Sequence, residues 1–287
     1  MPIHKNFLQD LQSFSFKEIS PSFLDDLYKF VILKETKSST DSFDYPELAT
    51  LFENLRLEIN NHLQKLYYNL PAIHPLNAPF TLFSPMGYDR WELAYTKTLG
   101  FLFSNQESHK IGTSLIEAFM KKVLKDSKEE IEIRNLSVEK VFTEMILLGK
   151  KSESLGRADI IVELKLSNGE KVLLFIEAKV DAHEGFNQLE RYEKYISTID
   201  HNFDFVLKVF LSPKVATDRI DWISLTLLDL LECIEEILPN IENQMEKTYL
   251  AFFGASILRD VIGITNISNT DQYSKYKIFK YLRSTEN

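Results

Sequence analysis

The sequence predicts an α/β protein, and three consecutive stretches carry that prediction. Residues 158–166 and 171–180 are apolar, β-branched runs separated by Ser167-Asn168-Gly169, which is typical of two strands joined in a hairpin. Residues 184–197 follow with helical spacing, and residues 205–211 form another strand-like run. The remainder of the chain has mainly helical patterns. We therefore expect a sheet flanked by helices, preceded by a helical N-terminal lobe.

The first 70 residues predict that helical lobe. Residues 23–33 have apolar side chains at helical spacing after Ser22, a candidate N-cap. Residues 46–70 predict a longer helix with a proline in its first turn. This second helix carries one apolar stripe, formed by Leu48, Leu51, Leu55, Ile59, Leu63 and Leu66. The stripe predicts packing against the core, or against a protein partner or a second copy of the chain in a homodimer.

A proline-rich stretch, residues 71–85, follows the lobe and is typical of a boundary, because proline interrupts helices. The sequence therefore divides into a helical lobe with linker, residues 1–85, and a core with C-terminal helices, residues 86–287. The C-terminal part predicts a short strand and two helices, at residues 223–225, 227–238 and 243–262. In the tail, residues 273–283, basic and aromatic residues are interleaved, which predicts a docking face or contact with single-stranded nucleic acid.

Glu92 is an acidic residue on an otherwise apolar helix face. Residues 88–103 predict a helix on which it shares a face with Tyr95, Thr96, Leu99 and Phe103. A buried carboxylate is costly unless it is paired or bound to a metal, although a first-turn Glu is also favoured by the helix dipole. After a helix at residues 112–125, whose lysines face solvent or phosphates, residues 138–148 predict the first core strand. Glu144 on that strand is a further candidate site residue.

The register of the hairpin decides whether Asp159 and Glu177 meet. A two-residue loop at Asn168-Gly169 would place Asp159 opposite Ala178, on the wrong face of the sheet. A three-residue loop, Ser167-Asn168-Gly169 with Gly169 in the left-handed conformation, places Asp159 directly opposite Glu177. We expect the three-residue loop. Glu177 and Lys179 then point to one face, since side chains alternate along a strand.

Two carboxylates and a lysine on one sheet face suit a divalent metal ion. Mg²⁺ prefers oxygen ligands, usually one or two carboxylates with waters and phosphate oxygens. A nearby lysine can position the attacking water or neutralise charge in the transition state. The alternative is a surface ion pair at the end of a strand, and Asp159, Glu177 and Lys179 alone do not decide between the two.

The order of these residues resembles the PD-(D/E)XK nuclease superfamily. Asp159 is followed by Glu177-Ala178-Lys179 at the end of an apolar strand, and Gln188 and Tyr192 are similar to a Gln-x-x-x-Tyr pattern of some branches. The resemblance implies a restriction-endonuclease-like core, a mixed central sheet flanked by helices, in the order helix, three antiparallel strands, helix, strand. It also implies that Asp159 and Glu177 bind the metal and that Lys179 serves the attacking water.

Glu92 carries a second resemblance. The run Glu92-Leu93-Ala94, followed by Leu99, Leu102, His109, Gly112 and Phe119, is similar to one branch of the superfamily. In that branch a Glu on the first core helix points into the metal site. The branch often has His and Ser where this chain has Tyr95 and Thr96. For Gln188 two readings stay open: a hydrogen bond to a phosphate or to Glu177, or an exposed amide at a helix start.

Composition limits the classes of function and the compartment. With 42 acidic and 33 basic residues the net charge is -9, which argues against DNA binding over the whole surface but leaves room for a local basic groove. The single cysteine, Cys233, excludes an internal disulfide and fits a reducing cytoplasm. We expect a cytoplasmic protein with no membrane association, because no basic-then-apolar leader and no long apolar run is present.

The sequence thus predicts a nuclease that hydrolyses phosphodiester bonds of nucleic acid, DNA in the first place, with Mg²⁺ or Mn²⁺. The expected catalytic residues are Glu92, Asp159, Glu177, Lys179 and Gln188, with Asp159 and Glu177 as metal ligands. The alternative is a nuclease-fold protein without turnover that binds nucleic acid or protein. The acidic composition and the helical lobe favour that alternative, whereas the complete charged set favours catalysis.

Overall fold

The computed structural model describes residues 67–127, 129–149, 153–181, 188–213 and 221–264, together with Leu57, Asn61, Gln64, Lys65 and Tyr281. Residues 71–266 form one compact unit, and residues 1–70 group with 267–287 as a second. The predicted helix at 23–33, most of the one at 46–70 and most of the aromatic tail lie outside the described residues and stay predictions. Among the described residues, none of the helices combines the length and the apolar character that a membrane span requires.

The described part of the compact unit contains five strands and five α-helices. In chain order they are α1 Glu92–Phe103, α2 Gly112–Asp126, β1 Ser137–Leu148, β2 Ser154–Lys165, β3 Lys171–Ala178, α3 Gln188–Ile199, β4 Phe205–Ser212, β5 Ile223–Thr226, α4 Leu227–Ile237 and α5 Gln244–Ser256. A π-helical turn, Ile257–Ile262, continues α5. Short 3₁₀ turns lie at Pro75–Asn77, Ser84–Met86, Asp200–Asn202 and Leu238–Asn240.

The strands form one mixed sheet in the order β1-β2-β3-β4-β5. β1, β2 and β3 are antiparallel neighbours, whereas β3, β4 and β5 are parallel. The parallel step from β3 to β4 runs through α3, because parallel neighbours need a crossover rather than a tight turn. This mixed sheet flanked by helices confirms the predicted α/β fold with a mixed central sheet.

The hairpin between β2 and β3 has the three-residue loop that the sequence predicts. Lys165 pairs with Lys171, and the Leu166 amide donates to the Glu170 carbonyl at 2.8 Å. Gly169 has φ of 92°, in the left-handed region that a residue with a side chain rarely adopts. The pairing continues to Ile160 opposite Ile176, so that Asp159 lies one step further on, opposite Glu177.

The first core helix begins at Glu92, not at Tyr88 as the sequence pattern predicts. Arg90 explains the difference, because its guanidinium donates to the Asp181 carboxylate and to the carbonyls of Val180 and Asp260. These contacts hold the segment before the helix in a turn, and Trp91 is extended with φ of -81° and ψ of 101°. The tertiary contacts of Arg90 therefore override the local helical pattern and make Glu92 the first helical residue.

The sheet separates two apolar clusters. On one face, helices α1, α2, α4 and α5 pack on side chains such as Ile160, Val162 and Val209. On the other face, α3 and Trp222 pack on Ile161, Leu173 and Phe175. Gly100 sets the approach of α1 to β1, since a Cβ atom there would lie only 2.1 Å from Thr143 Cγ2. The close approach brings the start of α1 to the edge of the sheet that carries Asp159.

Residues 71–85 pack on the core. The Leu82 amide donates to Ser256 Oγ at 2.8 Å, Arg259 donates to the Leu76 carbonyl at 3.2 Å, and Phe83 lies within the larger apolar cluster. By these contacts the stretch belongs to the compact unit of residues 71–266, although its prolines are typical of a linker. The division of the chain at residue 85 stays a prediction, because proline content reports on helix breaking and not on burial.

Candidate active site

Asp159 and Glu177 lie side by side on neighbouring strands. Asp159 is 7% exposed and Glu177 is fully buried. The Ala178 amide donates to Asp159 Oδ2 at 2.8 Å, which fixes one oxygen of that carboxyl. The charge of each carboxyl group makes ionisation of the other less favourable. Buried acids in contact are costly unless a proton or a cation lies between them.

The electrostatics of the pair follow from burial. Burial and, after it, the charge of the neighbouring Asp159 raise the pKa of Glu177 to about 8, although the Lys179 ammonium opposes the shift. Burial likewise raises the pKa of Asp159 to about 6, opposed by Lys179 and by the Ala178 hydrogen bond. At neutral pH without a cation, the pair therefore retains a proton that a metal ion would have to displace.

Lys179 joins the two acids to Glu92. Its ammonium contacts Glu177 Oε1 and lies 3.0 Å from Glu92 Oε1, and its side chain is only 12% exposed. Burial acts to lower the pKa of Lys179, but the charges of Glu177 and Asp159 outweigh burial and raise it. The amine therefore stays positively charged. Glu92, the first residue of α1, points toward the site and remains partly exposed.

Gln188 and Tyr192 approach Glu177 from α3. Gln188 Nε2 donates to Glu177 Oε1 at 2.6 Å and to the Tyr192 hydroxyl at 2.7 Å. Tyr192 in turn donates from its hydroxyl to the Arg157 carbonyl at 2.6 Å. Of the two readings left open by the sequence, the structure places the amide on Glu177. A chain of hydrogen bonds thus connects the buried acid Glu177 through Gln188 and Tyr192 to the Arg157 carbonyl in β2.

Glu144 lies opposite Asp159 on β1 with an unusual backbone. Its φ is 57°, a left-handed conformation that costs a residue with a side chain roughly 1–3 kcal/mol. Its Oε1 accepts from Thr96 Oγ1 at 3.2 Å, and its Oε2 lies 2.6 Å from Arg157 Nε. An ion pair with an exposed arginine is worth only about 0–1 kcal/mol. The Glu144–Arg157 ion pair therefore does not offset the backbone strain, so a gain in stability does not explain the left-handed conformation of Glu144.

The left-handed residue also changes which side chains face α3. Phe142 and Met145, three residues apart, both pack on the α3 side of the sheet, whereas strict alternation would place them on opposite faces. The alternation thus changes phase at Glu144. No feature of the sequence signals this, because positive φ is indicated by Gly, Asn or Asp and not by Glu. The ion pair between Arg157 and Glu144 also cannot be predicted from the spacing of these residues in the sequence.

The residues present fit a divalent cation. Glu177 Oε2 is buried and has no hydrogen-bond partner, and carboxylate oxygens are the ligands that Mg²⁺ prefers. Within the described ranges, no group of three or more His, Cys, Asp or Glu side chains is arranged to hold a metal ion. A cation here would therefore depend on Asp159 and Glu177 together with water and substrate oxygens, the usual surroundings of Mg²⁺.

Two other features of the molecule contribute nothing to this site. Lys121 and Lys122 on α2 pair with Glu236 and Glu232 on α4, as expected for a helix–helix contact and not for a phosphate site. A cleft of about 600 Å³ lies at the other end of the β1–β2–β3 sheet, between the strands and α3, and is lined by Phe142, Ile161 and Tyr195 among others. None of the five predicted site residues lines that cleft.

Comparison with known proteins agrees with the resemblance read from the sequence. A family model described as the PD-(D/E)XK nuclease superfamily matches residues 80–257, which is more than half of the chain and contains all five predicted site residues. No curated protein and no solved structure gives a significant match.

Proposed function

We propose that this chain, which belongs to the PD-(D/E)XK nuclease superfamily, is an active nuclease that uses Mg²⁺ or Mn²⁺ to hydrolyse phosphodiester bonds in DNA. Proteins of the superfamily are generally nuclease-type hydrolases, and they typically use divalent metal ions. The observation that supports activity in this chain is the convergence of Asp159, Glu177, Lys179 and Glu92 in one contact network.

Asp159 and Glu177 are the proposed metal ligands. Gln188 holds Glu177 Oε1, so the second oxygen of that carboxylate remains for a cation. The Ala178 amide holds Asp159 Oδ2 in the same way. When bound, a divalent ion lowers the pKa of a coordinated water and offsets negative charge on the phosphate. The protein contributes two preoriented carboxylates whose own hydrogen bonds fix their direction.

Lys179 is the proposed catalytic cation. Its ammonium is positively charged, mostly buried and in contact with Glu177, so it is close to the position of the attacking water. A charge in such a dry site stabilises the transition state more than it would in water. Glu92 accepts from Lys179 at 3.0 Å and thereby orients it. Because Glu92 is also partly exposed, it can accept a hydrogen bond from water or contact a second ion.

A cleavage assay tests the proposal. The purified chain is incubated with Mg²⁺, Mn²⁺ or EDTA and with supercoiled plasmid, linear duplex, single-stranded DNA and RNA. We expect cleavage of at least one DNA form that depends on the metal. Binding of nucleic acid without cleavage of any substrate in either metal would contradict the enzyme and favour the nuclease-fold binding protein.

A further inference from the structure

Arg157 is an exposed arginine fixed from two sides next to the candidate active site. Its side chain is 62% exposed, yet its guanidinium is oriented by Glu144, 2.6 Å away. Its carbonyl accepts from the buried Tyr192 hydroxyl, which is connected through Gln188 to Glu177. Long surface side chains are usually free to rotate, and holding one in place has an entropic cost. Arg157 is instead held at both its backbone and its head group.

Glu144, which contacts Arg157, has a strained backbone. The chain adopts a left-handed conformation at this residue, with φ of 57°. This strain acts against the stability of the folded protein. Strained residues that persist in a fold concentrate at functional sites. In this conformation the Glu144 carboxylate forms an ion pair with Arg157 at the rim of the site. It also accepts a hydrogen bond from Thr96 of α1.

We propose that Arg157 binds a phosphate of the nucleic-acid backbone next to the scissile bond, and that Glu144 is the residue that positions it. Arginine suits this task, because its planar fork of donors matches the oxygens of a phosphate and stays charged at all relevant pH. Arg157 is two residues from Asp159 on the same strand, so its backbone lies within about 7 Å of the metal-binding residue. The inference rests on the proposed nuclease function and names the group that holds its substrate.

An arginine in this position would also reduce the repulsion between this acidic protein and a nucleic acid. The chain carries a net charge of -9, and the candidate site itself gathers Glu92, Glu144, Asp159 and Glu177. A polyanion approaching such a site is repelled unless a cation is held at its rim. Arg157 is an exposed cation in contact with one of these four acids, and Lys179 is buried among them.

The test measures binding separately from cleavage. Fluorescence anisotropy with a labelled DNA duplex and a labelled single strand, in Ca²⁺ and again in EDTA, gives affinities at several salt concentrations for each variant. We expect Arg157→Gln to weaken binding about tenfold or more and to lower the slope of log affinity against log salt by about 1, as loss of one phosphate contact requires. Arg157→Lys should keep the slope and lose only part of the affinity.

Lys140→Gln is the matched control. Lys140 lies on β1, is 58% exposed, and pairs with Glu163 at 3.1 Å, so its exposure and pairing are close to those of Arg157. It lies roughly 20 Å along the strand from the residue paired with Arg157. We expect its affinity to stay within twofold of wild type. Equal weakening by Lys140→Gln and Arg157→Gln would overturn the inference, because a general loss of positive charge would then explain both.

Glu144→Gly and Glu144→Gln test the positioning role. Glycine accepts the left-handed backbone but cannot hold Arg157, so we expect several-fold weaker binding with an unchanged salt slope, since the arginine is still present. Glutamine keeps an oxygen at the position of the present ion pair but not its charge, so it should restore part of the affinity. Wild-type affinity in Glu144→Gly would show that Glu144 does not position Arg157. Melting temperatures of all variants exclude unfolding as the cause.

The outcomes separate this inference from the proposed function. If wild type cleaves DNA and Arg157→Gln binds and cleaves as wild type does, the phosphate site is wrong and the nuclease stands. If wild type binds DNA through Arg157 but never cleaves it, the phosphate site stands and the enzyme is wrong. If the wild type neither binds nor cleaves any nucleic acid, both are overturned.

Discussion

At the scale of single residues, Lys179 and Asp159 belong to one network but have different proposed tasks. Lys179→Ala removes a charge that acts on the transition state, so turnover should fall on the order of a hundredfold or more, equivalent to about 3 kcal/mol. Metal affinity should persist, because Asp159 and Glu177 remain. Folding should change little at neutral pH, since Glu177 is able to hold a proton once the ammonium is gone.

Asp159→Asn is the counterpart, and it should weaken metal binding itself. Calorimetric titration with Mg²⁺ next to a cleavage assay separates the two variants. We expect normal titration and slow cleavage for Lys179→Ala, and weak titration for Asp159→Asn. A Lys179→Ala variant that cleaves at the wild-type rate would remove Lys179 from the chemistry.

Glu177 gives a prediction about stability and pH. Its ordinary pKa is 4.5 and burial raises the pKa to about 8 in the folded chain. Because the folded state binds the proton more tightly, the stability from this group is fully present below about pH 4.5 and is lost as the pH rises through 8. Glu177→Gln stays neutral, so in EDTA at pH 9 it should be more stable than wild type, by on the order of a few kcal/mol.

Urea unfolding of both proteins in EDTA at pH 5 and pH 9 provides the measurement. Wild type should lose more stability than Glu177→Gln between the two values. Parallel losses in both proteins would mean that Glu177 is not held in its protonated form, and the account of a buried carboxyl with a raised pKa would be wrong.

At the scale of secondary-structure elements, the close contact of α1 with β1 positions Glu92. Gly100→Ala would place a Cβ atom 2.1 Å from Thr143 Cγ2, so the helix must shift or Thr143 must move. We expect a loss of roughly 1–3 kcal/mol in the free energy of unfolding, as for overpacking of other cores. Cleavage should fall as well, because the shift moves Glu92 relative to Lys179.

Thr143→Ser supplies the control for this prediction, since serine lacks the Cγ2 methyl that the new Cβ would meet. The double variant Gly100→Ala with Thr143→Ser should recover much of the stability and of the cleavage rate. A double variant as unstable as the sum of the single changes would mean that the Gly100–Thr143 contact does not set the helix position.

The elements also show which parts of the fold the sequence can predict. The hairpin register follows from local chemistry, because Gly169 provides the left-handed residue that a three-residue loop needs. The start of α1 does not, since it depends on Arg90 reaching Asp181 and Asp260, far away in the chain. The left-handed conformation of Glu144 and its contacts with Thr96 and Arg157 are likewise recorded by no local pattern. The hairpin register is thus determined by local sequence, whereas the helix start and the strained residue depend on tertiary contacts.

At the scale of the whole molecule, the predicted site residues converge because two strands and the first turns of two helices meet at one side of the sheet. β2 and β3 supply Asp159, Glu177 and, just beyond the strand, Lys179, whereas the first residues of α1 and α3 are Glu92 and Gln188. The sequence indicated these residues, but only their types and spacing. The raised pKa of Glu177 and the link through Tyr192 to Arg157 depend on the assembled fold, since they join residues from different elements.

Metal binding should therefore stabilise the whole molecule. A ligand that binds only the folded state adds about 2.7 kcal/mol at a concentration one hundred times its dissociation constant. For a chain of 287 residues this corresponds to a rise in melting temperature of roughly 5 °C or more. Differential scanning fluorimetry with increasing Mg²⁺ or Mn²⁺ measures the shift.

NaCl at matched ionic strength is the control, because a net charge of -9 is also screened by simple salt. Wild type should gain stability beyond the NaCl control, whereas Asp159→Asn and Glu177→Gln should follow it. An equal shift in all three proteins would place the cation elsewhere in the chain and leave the Asp159–Glu177 pair without its proposed ligand.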